Sequence, residues 1–380
     1  MSLPDVTFGP FDGRVWLNAA HQGPLPRDAV EAAKRALHRK VQPNLIADED
    51  FHRTPARLRA ALARLVNAHE KDIVLGNSAS YGVHLIVNGL AWRAGDEVLV
   101  PADDFPASIL PWTVLEPAVK VRRLATDEGM LTTDALASQL DDRTRVVCIS
   151  WVNSFSGRIN DLSALGSLCR DKGVLFVVNA TQGLGSLSLD VDDLPADAVT
   201  SCGFKWLCGP YGTGFCWLHP DLQAQLESRQ AYWLALAGER WSDLTWHDDA
   251  SSDDASNDDL GAARFDVFGT ANFLNFEPWT ASVEHFLAVG LDVISAHNAL
   301  LIERLVEGVD AGEWRLVSGL DPPERSTMVV LEPRQESVDD ATSRLARARI
   351  DVAERRGRIR ISPHLYNSVE DIDRTLTALA

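Results

Sequence analysis

The chain has 380 residues, of which 46% are hydrophobic, and a formal net charge of −18. This length predicts a large and a small domain rather than one small core. The acidic balance argues against nucleic acid and anionic membranes as partners, and no apolar run is long enough to span a bilayer.

The cysteines favour a reducing compartment. Five of them, an odd number, are scattered at positions 148, 169, 202, 208 and 216. They form no Cys-x-x-Cys pair and no zinc-binding spacing, so we predict reduced thiols and no metal site. The first residues lack the basic and apolar regions of a signal peptide. A cytoplasmic protein is therefore expected.

Helices and strands alternate along the first half of the sequence. Periodic apolar residues predict helices at 27–41, 55–67, 83–90, 132–140 and 162–171. Short apolar runs predict strands at 73–76, 97–100, 119–124, 145–150 and 174–178. This alternation is typical of an α/β protein with a mostly parallel sheet.

The turn after the first of these strands has the composition of a phosphate-binding site. Residues 77–82 are small or polar and lead from the strand into an apolar helix. Such a turn presents backbone N–H groups and a helix dipole to an anion. Alternatively, Ser78 or Ser80 serves only as a helix cap.

Lys205 is the centre of the sequence argument. It stands between a strand-like run, 198–200, and the glycines of Gly-Pro-x-Gly-x-Gly at 209–214. Burial of a lysine lowers its pKa and leaves a nucleophilic amine, which forms Schiff bases with aldehydes. The alternative is a surface lysine that precedes a glycine turn.

The segment from Phe204 to Gly214 resembles the lysine segment of class V aminotransferases. These are pyridoxal phosphate (PLP) enzymes of fold type I, and they include cysteine desulfurases, kynureninases and isopenicillin N epimerase-like proteins. The resemblance implies that Lys205 holds PLP as a Schiff base, with Ser201 nearby. It also implies a large domain with a seven-stranded, mostly parallel sheet and a small C-terminal α/β domain.

The implied domains divide the chain into three parts. An N-terminal segment near the active site covers 1–25, the PLP-binding domain 26–275 and the small domain 276–380. In the last part, the sequence predicts one long helix at 280–309. Strands at 326–332 and 357–362 and helices at 338–348 and 369–379 complete it, with Ser368 and Asp371 as a capping pair.

The resemblance assigns the cofactor's neighbours residue by residue. Ala79 and Ser80 would cradle the phosphate, and Phe105 would stack on the ring instead of serving as ordinary core. Gln182 would bond the phenolic oxygen. Asn153 would lie near that oxygen, unless it is a simple turn asparagine.

Asn179 departs from the family pattern, which has aspartate at this position to bond the pyridine nitrogen. A carboxylate raises the pKa of that nitrogen, and the protonated ring is the electron sink. A neutral amide weakens the sink. Either the reaction depends less on it, as in elimination or epimerisation, or the protein binds PLP with weak or no turnover.

Two residues are candidates for binding an amino-acid substrate. Arg360 matches the family's carboxylate-binding arginine, because a guanidinium binds a carboxylate bidentately. Arg358, on the same strand face, is a weaker alternative. His21 lies in a segment that resembles one near the active site. Its side chain contacts either the substrate or the backbone, and the sequence favours neither.

A further feature concerns partners. Thr270 resembles a threonine that reaches the PLP phosphate of the other subunit, which implies a homodimer with shared sites.

The acidic stretch 248–259 is expected to be a solvated loop. Cysteine desulfurases carry a sulfur-accepting cysteine in their C-terminal region, and no cysteine follows Cys216 here. The resemblance therefore argues against a desulfurase that forms a protein persulfide, but not against desulfurases that need no such cysteine. Aminotransferase, epimerase and C–S or β-elimination lyase remain open.

Overall fold

The computed structural model describes residues 8–227, 261–319 and 324–380. The strands in this part of the chain are β1 (Val15–Trp16), β2 (Ile73–Gly76), β3 (Glu97–Pro101), β4 (Lys120–Leu124), β5 (Thr144–Ser150), β6 (Leu175–Asn179), β7 (Ala198–Cys202), β8 (Gly214–Leu218), β9 (Trp314–Leu316), β10 (Val329–Pro333), β11 (Ile350–Asp351), β12 (Ala353–Arg355) and β13 (Arg358–Ile361). The α-helices are α1 (Arg27–Val41), α2 (Asp50–Val66), α3 (Ala79–Gly89), α4 (Pro106–Thr113), α5 (Thr133–Ala137), α6 (Leu162–Asp171), α7 (Pro220–Gln225), α8 (Phe273–Val289), α9 (Leu291–Gly308), α10 (Val338–Arg347) and α11 (Val369–Leu379).

A seven-stranded sheet forms the centre, in the order β2-β8-β7-β6-β5-β3-β4. The pairs between β7 and β4 are parallel, and only β8 runs against its neighbours. The predicted seven-stranded, mostly parallel sheet is therefore confirmed. Its parallel strands end at one edge, where ligands of open α/β sheets bind.

Helices cover both faces of this sheet. Alternate residues of β3 face the two helix layers. Leu99 packs into the core cluster that contains residues of α2 and α6. Val98 and Val100 pack into the opposite cluster with α3 and α4. Strands buried on both faces need continuous apolar runs, which explains why the sequence identified them clearly.

Several helix ends differ from the sequence prediction. The helix predicted at 83–90 begins at Ala79, because the Ser78 side chain caps it by accepting from the N–H of Tyr81. The helix predicted at 55–67 begins at Asp50 and contains Pro55 in its second turn. The acidic stretch 248–259 lies outside the described residues.

The single long helix predicted at 280–309 is wrong. The chain forms α8 and α9, which meet at an angle of 80°. Gly290 separates them with a φ of 91°, a backbone conformation that glycine adopts without strain. Within the described residues, no single helix is long and apolar enough to cross a membrane. Only α8 and α9 taken together have the required length and apolarity, and they form a bent pair.

The C-terminal part contains a second, antiparallel sheet in the order β12-β13-β10-β9. Its core cluster includes Leu301 of α9 and Leu345 of α10, and also Val15 and Leu17 from the beginning of the chain. Ser368 and Asp371 form the predicted capping box of α11. The division into three domains stays a prediction.

The N-terminal segment is tied to this C-terminal part. β1 pairs in parallel with β11, and Arg14 forms an ion pair with Asp351 at 2.5 Å. The N–H of Ala19 donates to the carbonyl of Ser362. Residues 18–22 are thereby held beside the carboxyl edge of the large sheet.

Candidate active site

A cavity of about 360 Å³ opens at the carboxyl edge of the large sheet. Eight of the eleven predicted site residues line it: His21, Ala79, Ser80, Phe105, Asn179, Gln182, Lys205 and Arg360. These residues come from the two ends of the chain and from the carboxyl ends of four strands of the large sheet, β2, β3, β6 and β7. Its volume suits a small organic ligand.

Lys205 follows β7 and lies at the centre of this group. It is partly exposed and lines the cavity. Burial of the ammonium group is the main cause that lowers its pKa, and the nearby cations Arg360 and Arg355 lower it further. The Nζ atom lies 5.1 Å from the centre of the Phe105 ring and 5.9 Å from that of Phe204. The site therefore favours the neutral, nucleophilic amine.

The beginning of α3 forms one wall. Ala79 and Ser80 are its first two residues and line the cavity, and the N–H groups at a helix start have no partner within the helix. Gly214 of β8 packs directly below, since a Cβ atom there would lie 2.5 Å from the carbonyl carbon of Ser78. This helix start can bind a phosphate.

Asn179 is the last residue of β6, Gln182 follows it, and both are buried. The Oδ1 atom of Asn179 accepts from the N–H of Thr181 at 3.1 Å, and its Nδ2 donates to Ser108 Oγ at 3.0 Å. Gln182 donates to the carbonyl of Ala20 and accepts from the indole of Trp206. Both side chains are thus held in fixed orientations at the cavity wall.

Arg360 lies on β13 and is only 4% exposed. One of its Nη atoms donates to the carbonyl of Ser154 at 3.0 Å, whereas its Nε has no hydrogen-bond partner in the described chain. Burial and the nearby Arg355 lower its pKa to about 10. A buried guanidinium with an unused donor is suited to an anionic ligand.

Arg358, the alternative carboxylate binder, is already paired. It donates to Glu128 at 2.8 and 3.0 Å and to Glu332 at 2.9 Å. It does not line the cavity. The geometry therefore favours Arg360.

His21 lines the cavity from the N-terminal segment. Burial lowers its pKa, and the cations Arg355, Arg360 and Lys205 lower it further. The imidazole is therefore neutral at neutral pH and able to accept a proton.

Three predicted residues lie outside the cavity lining. Asn153 holds the following turn, because its Oδ1 accepts from the N–H groups of Phe155 and Ser156. Ser201 is fully buried and donates to the carbonyl of Cys202. Thr270 is buried elsewhere in the same chain.

The sequence prediction missed other lining residues, among them Arg355, Phe204 and Tyr211. Arg355 belongs to a basic cluster that was visible at 355–360. Its position became clear only when β12 paired with β13. The phenylalanine directly before Lys205 was a signal as well, since flat rings suit a flat heterocycle.

The residues present fit PLP. A helix start suits its phosphate, Phe105 suits its ring, and the amine of Lys205 suits its aldehyde. The unpaired Nε of Arg360 leaves a donor that can bind a further anion. In the described residues, no group of three or more His, Cys, Asp or Glu side chains has the arrangement of a metal site.

Comparisons with known proteins agree with this geometry. The model of the family "Aminotransferase class-V" matches residues 33–375. A probable cysteine desulfurase of Methanothermobacter thermautotrophicus is 28% identical over 337 residues, which are 83% of this chain and 80% of the relative. Another, of Pyrococcus abyssi, is 25% identical over 91% of this chain and 85% of its own.

Two solved structures share the fold. The cystine C–S lyase C-DES in complex with its product cysteine persulfide has a TM-score of 0.85 at 21% identity, over 97% of this chain and 99% of that one. A lysine-to-alanine mutant of C-DES, with glycine covalently linked to the PLP cofactor, has a TM-score of 0.84 at 21% identity, over 96% of both chains. This chain is therefore an enzyme of the class V aminotransferase family, and its cofactor is pyridoxal phosphate.

Proposed function

We propose that this enzyme is a C–S lyase that acts on cysteine or cystine by β-elimination and releases the sulfur in a small-molecule product. The observation that carries the proposal is that all five cysteines are buried in a chain whose cavity has the residues to bind an amino acid. The names of the curated relatives and of C-DES support sulfur-containing substrates. Nothing in them favours the alternative of a PLP-binding protein without turnover.

The state of the thiols argues against sulfur transfer to the protein. A sulfur-accepting cysteine needs exposure and a lowered pKa. Burial instead raises the pKa of Cys169 to about 12 and raises those of Cys148, Cys208 and Cys216 still further. Cys202 lines the cavity, but burial raises its pKa too. The sulfur therefore leaves with a small molecule.

The cavity residues divide the work of this reaction. Arg360 binds the α-carboxylate of the substrate and orients the α carbon. When bound, PLP supplies the electron sink for bond breaking at that carbon. Lys205, as a neutral amine, accepts the α-proton, and Phe105 covers one face of the site. His21 contacts the substrate as a neutral imidazole.

The products distinguish this proposal from other reactions of the family. β-Elimination converts cysteine and water into pyruvate, ammonia and sulfide, and converts cystine and water into pyruvate, ammonia and cysteine persulfide. We expect pyruvate and ammonia in equal amounts from the PLP-loaded enzyme. Alanine with a protein persulfide, or 3-mercaptopyruvate that forms only when a keto-acid acceptor is added, would contradict it.

Lys205→Ala is the variant that tests the role of Lys205 in this reaction. We expect it to lose about 10³-fold in pyruvate formation, because the amine supplies both attachment and proton transfer. It should also lose the visible absorption band that borohydride abolishes in the wild type. Lys172→Ala, at an exposed position, serves as the control and should retain both.

The proposal includes a homodimer with shared sites. Thr270 lies outside the cavity of its own chain, and the exposed side chains of Tyr211 and Leu274 lie on nearby segments. Mixed dimers of Lys205→Ala and Thr270→Asp chains test it. Shared sites make Thr270→Asp alone inactive and give each mixed dimer one intact site with restored activity, whereas separate sites leave Thr270→Asp alone active.

A further inference from the structure

A buried carboxylate lies close to Asn179 and has no role in the reaction described above. Asp104 follows β3 and is 4% exposed. It accepts hydrogen bonds from the N–H groups of Phe105, at 2.6 Å, and Ser150, at 2.7 Å, and from the Ser150 hydroxyl. Among the described residues, no cation forms an ion pair with it. Burial raises the pKa of this carboxyl, and the hydrogen bonds from Ser150 and Phe105 act in the opposite direction and stabilise its charged form.

A chain of hydrogen bonds connects this carboxylate to Asn179. The Oγ atoms of Ser150 and Ser108 are 3.3 Å apart, and the Nδ2 of Asn179 donates to Ser108 at 3.0 Å. Both serines are buried. The sheet order explains the arrangement, because β3, β5 and β6 are neighbours and Ser150 is paired in register with Asn179.

The direction of each hydrogen bond follows from the groups involved. The N–H of Thr181 can only donate, so it fixes Oδ1 of Asn179 and places Nδ2 toward Ser108. Ser150 uses its single proton toward Asp104. Its oxygen therefore accepts from Ser108, whose oxygen accepts from Asn179. Every donor in the chain points toward Asp104.

We propose that Asp104 is a positioning residue that acts through Ser150 and Ser108 to orient and polarise Asn179 toward the pyridine ring of bound PLP. It supplies at a distance the negative charge that the family places at position 179. The inference rests on the proposed role of Asn179 as the partner of the ring nitrogen. Cooperative hydrogen bonds in a low-dielectric interior transmit such an influence.

The first test is a spectroscopic titration of the PLP-loaded enzyme without any amino acid. The pKa of the visible band of Lys205-linked PLP is measured in the wild type and in Asp104→Asn, a change that keeps the side-chain shape. We expect the pKa to fall by about one pH unit, because a nearby anion favours the protonated cofactor. An unchanged pKa would overturn the proposal.

Other titratable groups at the cavity do not change between these variants. They are His21, Cys202, Lys205, Tyr211, Arg355 and Arg360. The matched control is Asp103→Asn, which removes one negative charge next door but lies outside the chain of hydrogen bonds, with its carboxylate accepting from Thr126. We expect this control to shift the pKa by less than about 0.3 units, since the half-buried Asp103 has contact with solvent that screens its charge.

Two further variants keep the proposal falsifiable if Asp104→Asn folds poorly. Ser108→Ala interrupts the chain while Asp104 retains all its donors, and should lower the same pKa. Asp104→Asn combined with Asn179→Asp moves the negative charge next to the ring and should restore the pKa of the visible band. A normal pKa in Ser108→Ala, or no restoration in the double variant, would contradict the relay. Absent pyruvate formation would instead overturn the proposed lyase reaction and leave this titration unaffected.

Discussion

The two sides of the cavity are built in different ways. The cofactor side consists of strand ends and a helix start of the large sheet, and its polar side chains, such as Gln182 and Asn179, are bonded to other protein groups. The substrate side comes from residues near 21 and 355–360. There, Arg360 keeps an unpaired donor inside the protein.

This difference corresponds to two tasks, the binding of the cofactor and the recognition of the substrate. A cofactor that stays bound benefits from a rigid frame whose hydrogen bonds are complete. A substrate that enters and leaves needs charges that become satisfied only on binding. Changes on the two sides are therefore expected to affect different constants, PLP affinity on one and KM on the other.

Arg360→Lys should give the largest separation. It retains the charge but loses the planar fork that binds a carboxylate bidentately. We expect KM for cysteine or cystine to rise about 100-fold, which corresponds to about 2.7 kcal/mol, with the PLP dissociation constant unchanged. Steady-state kinetics and PLP titration measure the two. Arg358→Lys, on the same strand, should change KM by less than about threefold, and an equal effect of both variants would contradict the assignment.

His364 joins the two sides and allows a test by pH. Its Nε2 lies 2.8 Å from the carbonyl of Trp206, the residue after Lys205, and burial lowers its pKa to about 4. The unfolded chain has a histidine pKa near 6.5 and binds the proton first as pH falls. The native state therefore loses about 2 kcal/mol of stability by pH 5 from this group.

The measurement is the free energy of unfolding in urea from pH 7.5 to 5. His364→Gln removes the titrating group, so its stability should depend less on pH than that of the wild type over this interval. Equal slopes for the two proteins would show that other groups cause the acid sensitivity.

Gly214→Ala should have the smallest effect, confined to the cofactor side. The added carbon would lie 2.5 Å from backbone of Ser78 and push the start of α3 outward. We expect PLP to dissociate about tenfold more readily, about 1.4 kcal/mol, with KM unchanged. Gly76 pairs with Gly214 across the strands. An alanine at Gly76 meets the Tyr81 side chain at 3.0 Å rather than backbone at 2.5 Å, so Gly76→Ala should weaken PLP binding less.

Local patterns predicted the cofactor side better than the substrate side. Lys205, Gln182 and Asn179 follow apolar strands directly, and position after a parallel strand is enough to bring such residues to one edge. The helix start at Ala79 followed from its small residues in the same way. The local sequence is therefore enough to predict most of the cofactor side.

The remaining contacts depend on distant pairing. Nothing local shows that Arg355 faces the cavity while Arg358 turns to Glu128. The hydrogen-bond chain from Asp104 to Asn179 likewise spans three strands. The break at Gly290 had a local signal in the glycine itself, but the apolar residues on both sides continued the helical pattern and masked it.

The pairing of β1 with β11 has a consequence for synthesis. Because residues 15–16 find their partners only at 350–351, the ribosome delivers the first part of the site long before the part that fixes it. The large sheet, whose strands end by Leu218, can assemble and present Lys205 while the substrate side is still missing. Attachment of PLP can therefore precede specificity during the synthesis of each molecule, with selectivity acquired only when β11 and the residues after it dock.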